Sequence, residues 1–251
     1  MNDTRAFYDE LAGDYDALHI DWRESVRTQG QVLDALIRSE LGDRPQRVLD
    51  CACGIGTQAI GLALRGHDVL ATDLSPAAVR RAAAEAIAMG AALATGVADF
   101  TRLADEVEGT FACVLACDNS VAHLHGDDDL ARFAAGVVAK LERDGLALVS
   151  LRDYAPLVAE RLGGHPVRVG DGTISFQVWN WDDDGRAYDM AQFTLRGEGE
   201  HWQTACRRTR LRALLRDDIC GALAAAGLCE VRWRTPGETG YYQPLVTARL
   251  R

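Results

Sequence analysis

From Arg47 onward, short runs of apolar residues alternate with longer stretches in which apolar positions recur at helical spacing. A strand buried on both faces reads as a continuous apolar run and its crossover helix as an amphipathic one, so the alternation predicts strand, helix, strand in a parallel sheet. RVLDCA (47–52) predicts the first strand, TQAIGLALRG (57–66) the helix after it, and HDVLATD (67–73) the second strand. Ser75 then stands as a helix cap before PAAVRRAAAEAIAMG, with Pro76 in the first turn, where a missing N–H is tolerated. A third strand is expected around AALATGVAD and a fourth at FACVLACD (111–118). A helix at DDDLARFAAGVVAKLE and a fifth strand at GLALVSLRDY (145–154) follow.

After Tyr154 the rhythm changes. TISFQVWNW, the turn Asp182-Asp183-Asp184-Gly185 and RAYDMAQFTLRGE predict an antiparallel hairpin inserted at about 155–205. A helix from about Leu211 to Ala226 is expected next, then the strands LCEVRWRT and YQPLVTARL as an antiparallel edge pair. Residues 1–46 read as helical and precede the first strand, so they are expected to fold back as a lid over a core of 47–251, one domain overall. The expected fold is α/β, a doubly wound, mostly parallel seven-stranded sheet with a helical N-terminal lid and an antiparallel insertion.

Composition narrows the partners. Across 251 residues, 48% of them hydrophobic, there is material for one large core. A formal charge of −10 opposes binding to a phosphate backbone, so a small-molecule substrate is expected and nucleic acid is not. The apolar runs are too short to span a bilayer and the N-terminus MNDTRAFYDE is polar, so the expectation is a cytoplasmic protein without membrane contact. The seven cysteines are odd in number and several fall in strand runs, which reads as buried free thiols. No second pair at zinc-ligand spacing answers Cys51 and Cys53, and no metal is expected.

Ligands of open α/β sheets bind beyond the carboxyl ends of the strands, where Asp50, Asp73, Asp99 and Asp118-Asn119 stand. Gly54 and Gly56 supply a tight turn with bare backbone, which also suits a dinucleotide. Asp50, just before that turn, would repel a pyrophosphate and attract an ammonium, which favours S-adenosylmethionine. Asp73 lies where a ribose-binding carboxylate belongs, with a helix cap as its competing role. Asp99 and Phe100 would then meet the adenine, or else mark an ordinary strand-to-loop transition. His123 and His125 with Asp127 to Asp129 could pass for a metal cluster, but the acidic run is better read as the start of a helix. Arginines 207, 208, 210, 212 and 216 read as a solvated face, with attraction of an anionic substrate as the alternative for some of them.

The stretches FYDELAGDYDALHIDWRESVRTQ, VLDCACGIGTQ, ACDNSVAHLHGDDDL, SLRDY, FQVWNWDDDG and TGYYQPL carry a further signal. By them the chain resembles the glycine and sarcosine N-methyltransferase branch of the class I methyltransferases. The resemblance implies transfer of a methyl group from S-adenosylmethionine to the amine of a small amino acid, with an acceptor of another kind, such as a hydroxyl or ring nitrogen, as the alternative. It implies Tyr15 and Arg27 as cofactor clamps, Arg27 on the methionine carboxylate, and Tyr8 as a further candidate. Ala52, Asp73, Asp99, Phe100 and Cys117 complete the implied cofactor contacts. Asn119 and Arg152 take positions that hold the substrate, the arginine gripping its carboxylate, although Asn119 could instead tie its loop and Arg152 could pair with Asp153. His19 falls where the family places a substrate-pocket side chain and is a candidate to take the amine's proton. A homo-oligomer is implied by the resemblance alone. One departure stands out: CRRTRLRALL has no tyrosine where family members active on glycine tend to place one, which puts glycine in doubt.

Overall fold

The computed structural model describes residues 4–170 and 172–251. Helix α1 (Thr4–Leu11) leads through a single 3-10 turn (Tyr15–Leu18) into the long α2 (Trp22–Leu41), whose first turn is capped by Asp21 accepting from the Glu24 N–H at 3.0 Å. The alternation foreseen from residue 47 follows as β1 (Arg47–Asp50), α3 (Thr57–Ala63), β2 (Asp68–Asp73), α4 (Pro76–Met89) and β3 (Ala94–Val97). It continues as α5 (Leu103–Glu106), β4 (Phe111–Ala116), α6 (Asp127–Lys140) and β5 (Leu141–Ser150). Ser75 caps α4 by accepting from the Ala78 N–H, with Pro76 in the first turn, as expected.

The main sheet has seven strands in the order β10-β11-β5-β4-β1-β2-β3, where β10 is Cys229–Arg234 and β11 is Leu245–Arg249. The first five strands are parallel, and β11 runs antiparallel to both β5 and β10. Both faces are covered. Along β4, Val114 and Ala116 pack with Phe133 and Val137 of α6, while Cys113 and Leu115 pack with Leu33 and Ile37 of α2 and Leu62 of α3. That two-sided burial is why the central strands read as unbroken apolar runs.

The expected lid divides. Residues of α1 and the 3-10 turn lie over the strand ends, whereas α2 is a layer of the main body, packed against α3 so closely that only glycines fit between them. A Cβ on Gly30 would stand 2.6 Å from the backbone of Gly61, and one on Gly61 would stand 2.4 Å from the Val26 carbonyl oxygen. Trp22 adds a hydrogen bond from its indole N–H to Thr57 Oγ1 at 2.9 Å.

The insertion is larger than a hairpin. After α7 (Tyr154–Glu160), the strands β6 (Gly164–Gly170), β7 (Thr173–Trp181), β8 (Ala187–Glu198) and β9 (His201–Arg212) form a separate antiparallel sheet in that order. The predicted hairpin is β7 and β8, in register from Thr173 opposite Arg196 to Trp181 opposite Tyr188. β9 takes residues expected to begin a helix, and α8 starts only at Arg216 and ends at Ala225. Thr209 and Leu211 are buried with more exposed arginines between them, a period of two that the basic composition conceals. Those arginines are not a bare solvated face. Arg207 pairs with Asp14 at 2.7 Å, Arg212 with Asp127 at 2.6 Å, and Arg210 with Asp182 and Asp189. On the inner face of this sheet, Trp179, Tyr188, Met190 and Leu211 pack with Phe7 and Leu11 of α1. α9 (Pro236–Thr239) then leads into β11.

Candidate functional site

The turn after β1 is built by backbone freedom and one carboxylate. Gly54 (φ +53°) and Gly56 (φ +93°) take left-handed conformations that other residues rarely adopt. Asp73, at the end of β2, fixes the turn: its Oδ2 accepts from the Gly54 N–H at 2.8 Å and its Oδ1 from the Ser75 N–H at 2.9 Å. A slot of about 60 Å³ opens above this turn, walled by Ala52, Gly54, Asp73, Phe100 and Cys117 from the sheet side. Tyr8 and Tyr15 close it from the N-terminal side, their rings stacked 6.3 Å apart, with Tyr15 directly over Gly54. Tyr8 Oη lies 2.8 Å from Nε2 of His123, whose burial lowers its pKa to about 3 and keeps the ring neutral.

Three residues assigned to this region from sequence stand elsewhere. Asp50 is fully buried beneath the loop and does not line the slot; its Oδ1 accepts from the Ala52 N–H at 3.3 Å, and burial pushes its carboxyl well above the usual range. Asp99 turns back on its own chain, Oδ1 accepting from the N–H and hydroxyl of Thr101, both at 2.8 Å, so only Phe100 of that pair reaches the slot. Arg27 sits on the solvent side of α2, its side chain 60% exposed and 3.4 Å from Glu24. Val26 and Gly30 fix the packed side of that helix, and one residue further on the direction turns by roughly 100°.

A second, wider cleft of about 540 Å³ adjoins the slot, and Tyr15 and Asp118 line both. Arg152 and His19 face this cleft. Arg152 donates to Tyr188 Oη at 2.9 Å and to Gln177 Oε1 at 3.3 Å, and its guanidinium lies 4.9 Å from the Trp179 ring centre. Among the described residues no carboxylate pairs with it; Asp153, its sequence neighbour, accepts instead from the Ala155 N–H at the start of α7. His19 Nδ1 lies 3.1 Å from Ser25 Oγ, and burial lowers the pKa of the ring.

Asn119 is buried outside the cleft lining. Its Nδ2 donates to Tyr154 Oη at 2.9 Å and its Oδ1 accepts from the Arg152 N–H at 3.1 Å, so it positions Arg152 by tying the loop. Its neighbour Asp118, at φ +58°, is the group that reaches the cleft, with the hydroxyls of Tyr241 and Tyr242 at 3.0 and 2.6 Å from its Oδ1. Asp118 and Tyr242 were not singled out from sequence, although Asp118 was already marked as a strand end. Asp127 to Asp129 form the first turn of α6, and no group of three metal-ligating side chains occurs among the described residues. All seven cysteines are free thiols, with Cys206 exposed.

Bare backbone at Gly54, a carboxylate at Asp73 and an aromatic wall at Phe100 suit an adenosyl ligand with a cationic amino-acid end. Residues 48–145 match the family model described as a methyltransferase domain. The matched stretch is a methyltransferase domain, and it runs from the first of the five parallel strands of the main sheet into the fifth and includes the glycine turn.

Its relatives are narrower. It is 33% identical over 155 residues to a glycine/sarcosine N-methyltransferase of Parasynechococcus marenigrum (strain WH8102), covering 62% of this chain and 53% of that one, so the chain spans about half the length of that relative. It is 25% identical over 206 residues to the glycine/sarcosine N-methyltransferase of Halorhodospira halochloris, covering 77% and 75% of the two chains. In fold it is similar to the CcbJ methyltransferase from Streptomyces caelestis, with a TM-score of 0.80, 18% identity and 99% of each chain covered.

Proposed function

We propose that this protein transfers a methyl group from S-adenosylmethionine to the amine of a small acceptor that carries a carboxylate. The observation that carries the reading is the junction of the two spaces: the slot and the cleft share Tyr15 and Asp118, and Arg152 faces the cleft without a carboxylate partner among the described residues. Bound S-adenosylmethionine supplies a methyl group already activated by a positively charged sulfur. The chain's own residues then have to bind, orient and dry the acceptor.

Arg152 takes the acceptor's carboxylate, held in place by Tyr188, Gln177 and the Trp179 ring. Asp118 draws the amine to the mouth of the slot, since its carboxylate lines both spaces. Neutral His19 is available as an acceptor for the proton that the amine gives up. Tyr8 and Tyr15 shut out water, and the gain in rate comes from positioning more than from acid or base chemistry. Ala52, Gly54, Asp73, Phe100 and Cys117 hold the cofactor in this reading, with Asp73 toward the ribose.

The width of the cleft favours an acceptor larger than glycine, as does the missing tyrosine in 206–215. The test is methyl transfer from labelled cofactor to a panel of amino acids, N-methyl amino acids and hydroxylated metabolites. Label in an amine that bears a carboxylate is expected. Label confined to hydroxyl or ring-nitrogen acceptors would reject the reading.

A further inference from the structure

The cleft beyond Arg152 holds a second cation that methyl transfer to a simple amino acid leaves without a task. Arg168, on β6, lines the same cleft, and among the described residues it has no carboxylate partner. None of the acidic side chains around the cleft pairs with it: Asp21 caps α2, Glu24 pairs with Arg27, and Asp118 receives two tyrosine hydroxyls on Oδ1 and faces the acceptor's amine in the reading above. Arg152 stands between the two ends of the space. Its charge is felt by Tyr8 and His123 on the cofactor side, and by His165 and Arg168 on the β6 side.

Two guanidiniums that lack a carboxylate partner among the described residues repel each other across one space, and the pKa of Arg168 is lowered by burial and by the charge of Arg152. Such an arrangement is relieved by an anion at each. The cleft has room for this, at about 540 Å³, within the roughly 300–1,000 Å³ that holds drug-sized ligands. It also continues past His19 and Arg168 into a neighbouring cleft of about 430 Å³.

We propose that the acceptor is an amine with two anionic groups, its carboxylate on Arg152 and a second carboxylate or a phosphate on Arg168. The inference rests on the acceptor reading above. The near-isosteric pairs L-glutamate and L-glutamine, and L-aspartate and L-asparagine, separate charge from shape, and the pair O-phospho-L-serine and L-serine tests a phosphate as the second group. kcat/KM for methyl transfer by the full chain is expected to favour the dianionic member of at least one pair by tenfold or more. Among the dianions, a preference for O-phospho-L-serine identifies phosphate as the second group, and a preference for glutamate or aspartate identifies carboxylate.

Arg168→Gln is expected to remove that preference through KM with little change in kcat, and Arg168→Lys to retain much of it. Equal rates within every pair, with glycine or glutamine methylated, overturn the second anion site and leave the acceptor reading standing. An equal loss on both members of a pair in Arg168→Gln overturns it as well, because a merely structural arginine would act that way. If no carboxylate-bearing amine is methylated, and calorimetry with product-loaded protein detects no binding of one, the acceptor reading itself falls and this inference with it.

Discussion

Asp73, Arg27 and Arg152 carry the sharpest consequences at the scale of single residues. Asp73 spends both carboxylate oxygens on the backbone of the glycine turn and its neighbour while also lining the slot. Asp73→Asn replaces one acceptor by a donor facing an N–H, so a loss of about 1–3 kcal/mol in folding stability and at least tenfold in cofactor affinity are expected, read by denaturant titration and calorimetry. Arg27 makes the opposite case. Resemblance names it a clamp, but its place on the solvent side of α2 predicts that Arg27→Ala binds cofactor within twofold of the parent protein. For Arg152→Gln, losing a charged hydrogen-bonding partner of about 1.5–3 kcal/mol predicts a KM for carboxylate acceptors raised roughly 10- to 100-fold. An unchanged KM would mean that Arg152 serves only Tyr188 and Gln177.

Two joints between elements decide whether the site closes. The N-terminal segment is clasped on one side by Asp9, which accepts from Ser75 Oγ at 2.6 Å and the Ala77 N–H at 3.1 Å, and on the other by Asp14, held by Arg196 and Arg207 at 2.7 Å each. Burial by itself would raise the pKa of Asp14, but the hydrogen bonds and charges of Arg196 and Arg207 outweigh it and the net shift is downward. A carboxyl lowered in the folded state stabilises above its ordinary pKa, and the contribution disappears as pH falls through the lowered folded value. Asp14→Asn is therefore expected to speed amide hydrogen exchange in residues 4–18 at neutral pH, and to differ little from the parent in strong acid. The second joint is the contact of α2 with α3. Gly30→Ala forces backbone apart and is expected to cost about 2 kcal/mol, a fall of roughly 5 °C in melting temperature. Neither joint is visible in a hydropathy pattern, because a clasp pairs residues nearly two hundred positions apart and a glycine contact has no side chain to signal it.

Across the whole molecule, burial lowers the pKa of four of the six histidines, namely His19, His123, His125 and His165, with His123 lowered furthest. Below the unfolded value near 6.5 the unfolded chain takes up protons that the folded one refuses, so stability is present above that pH and falls toward the folded value of about 3. His123 contributes about 2 kcal/mol of that loss by pH 5. The difference in urea stability between pH 7.5 and pH 5 should shrink by that amount in His123→Gln; an unchanged difference would place the acid sensitivity elsewhere. The parallel strands, the Ser75 cap and the glycine turn were legible along the chain because each is fixed within a few residues, by two-sided burial, a side-chain oxygen or a positive φ. The antiparallel sheet was half legible: β7 and β8 carry apolar residues around an acidic turn, whereas the period of β9 is hidden by arginines whose partners lie on other elements. The sequence alone thus determined the sheet, the turn and the class of cofactor. Only the tertiary structure decided which side chains share a space: it set Asp118 in place of Asn119, turned Asp99 and Arg27 away, and brought Arg168 to Arg152. Strand-end loops separated along the chain converge only when the sheet forms, and the direction of a side chain there follows from hydrogen bonds that the loop's own residues compete to make.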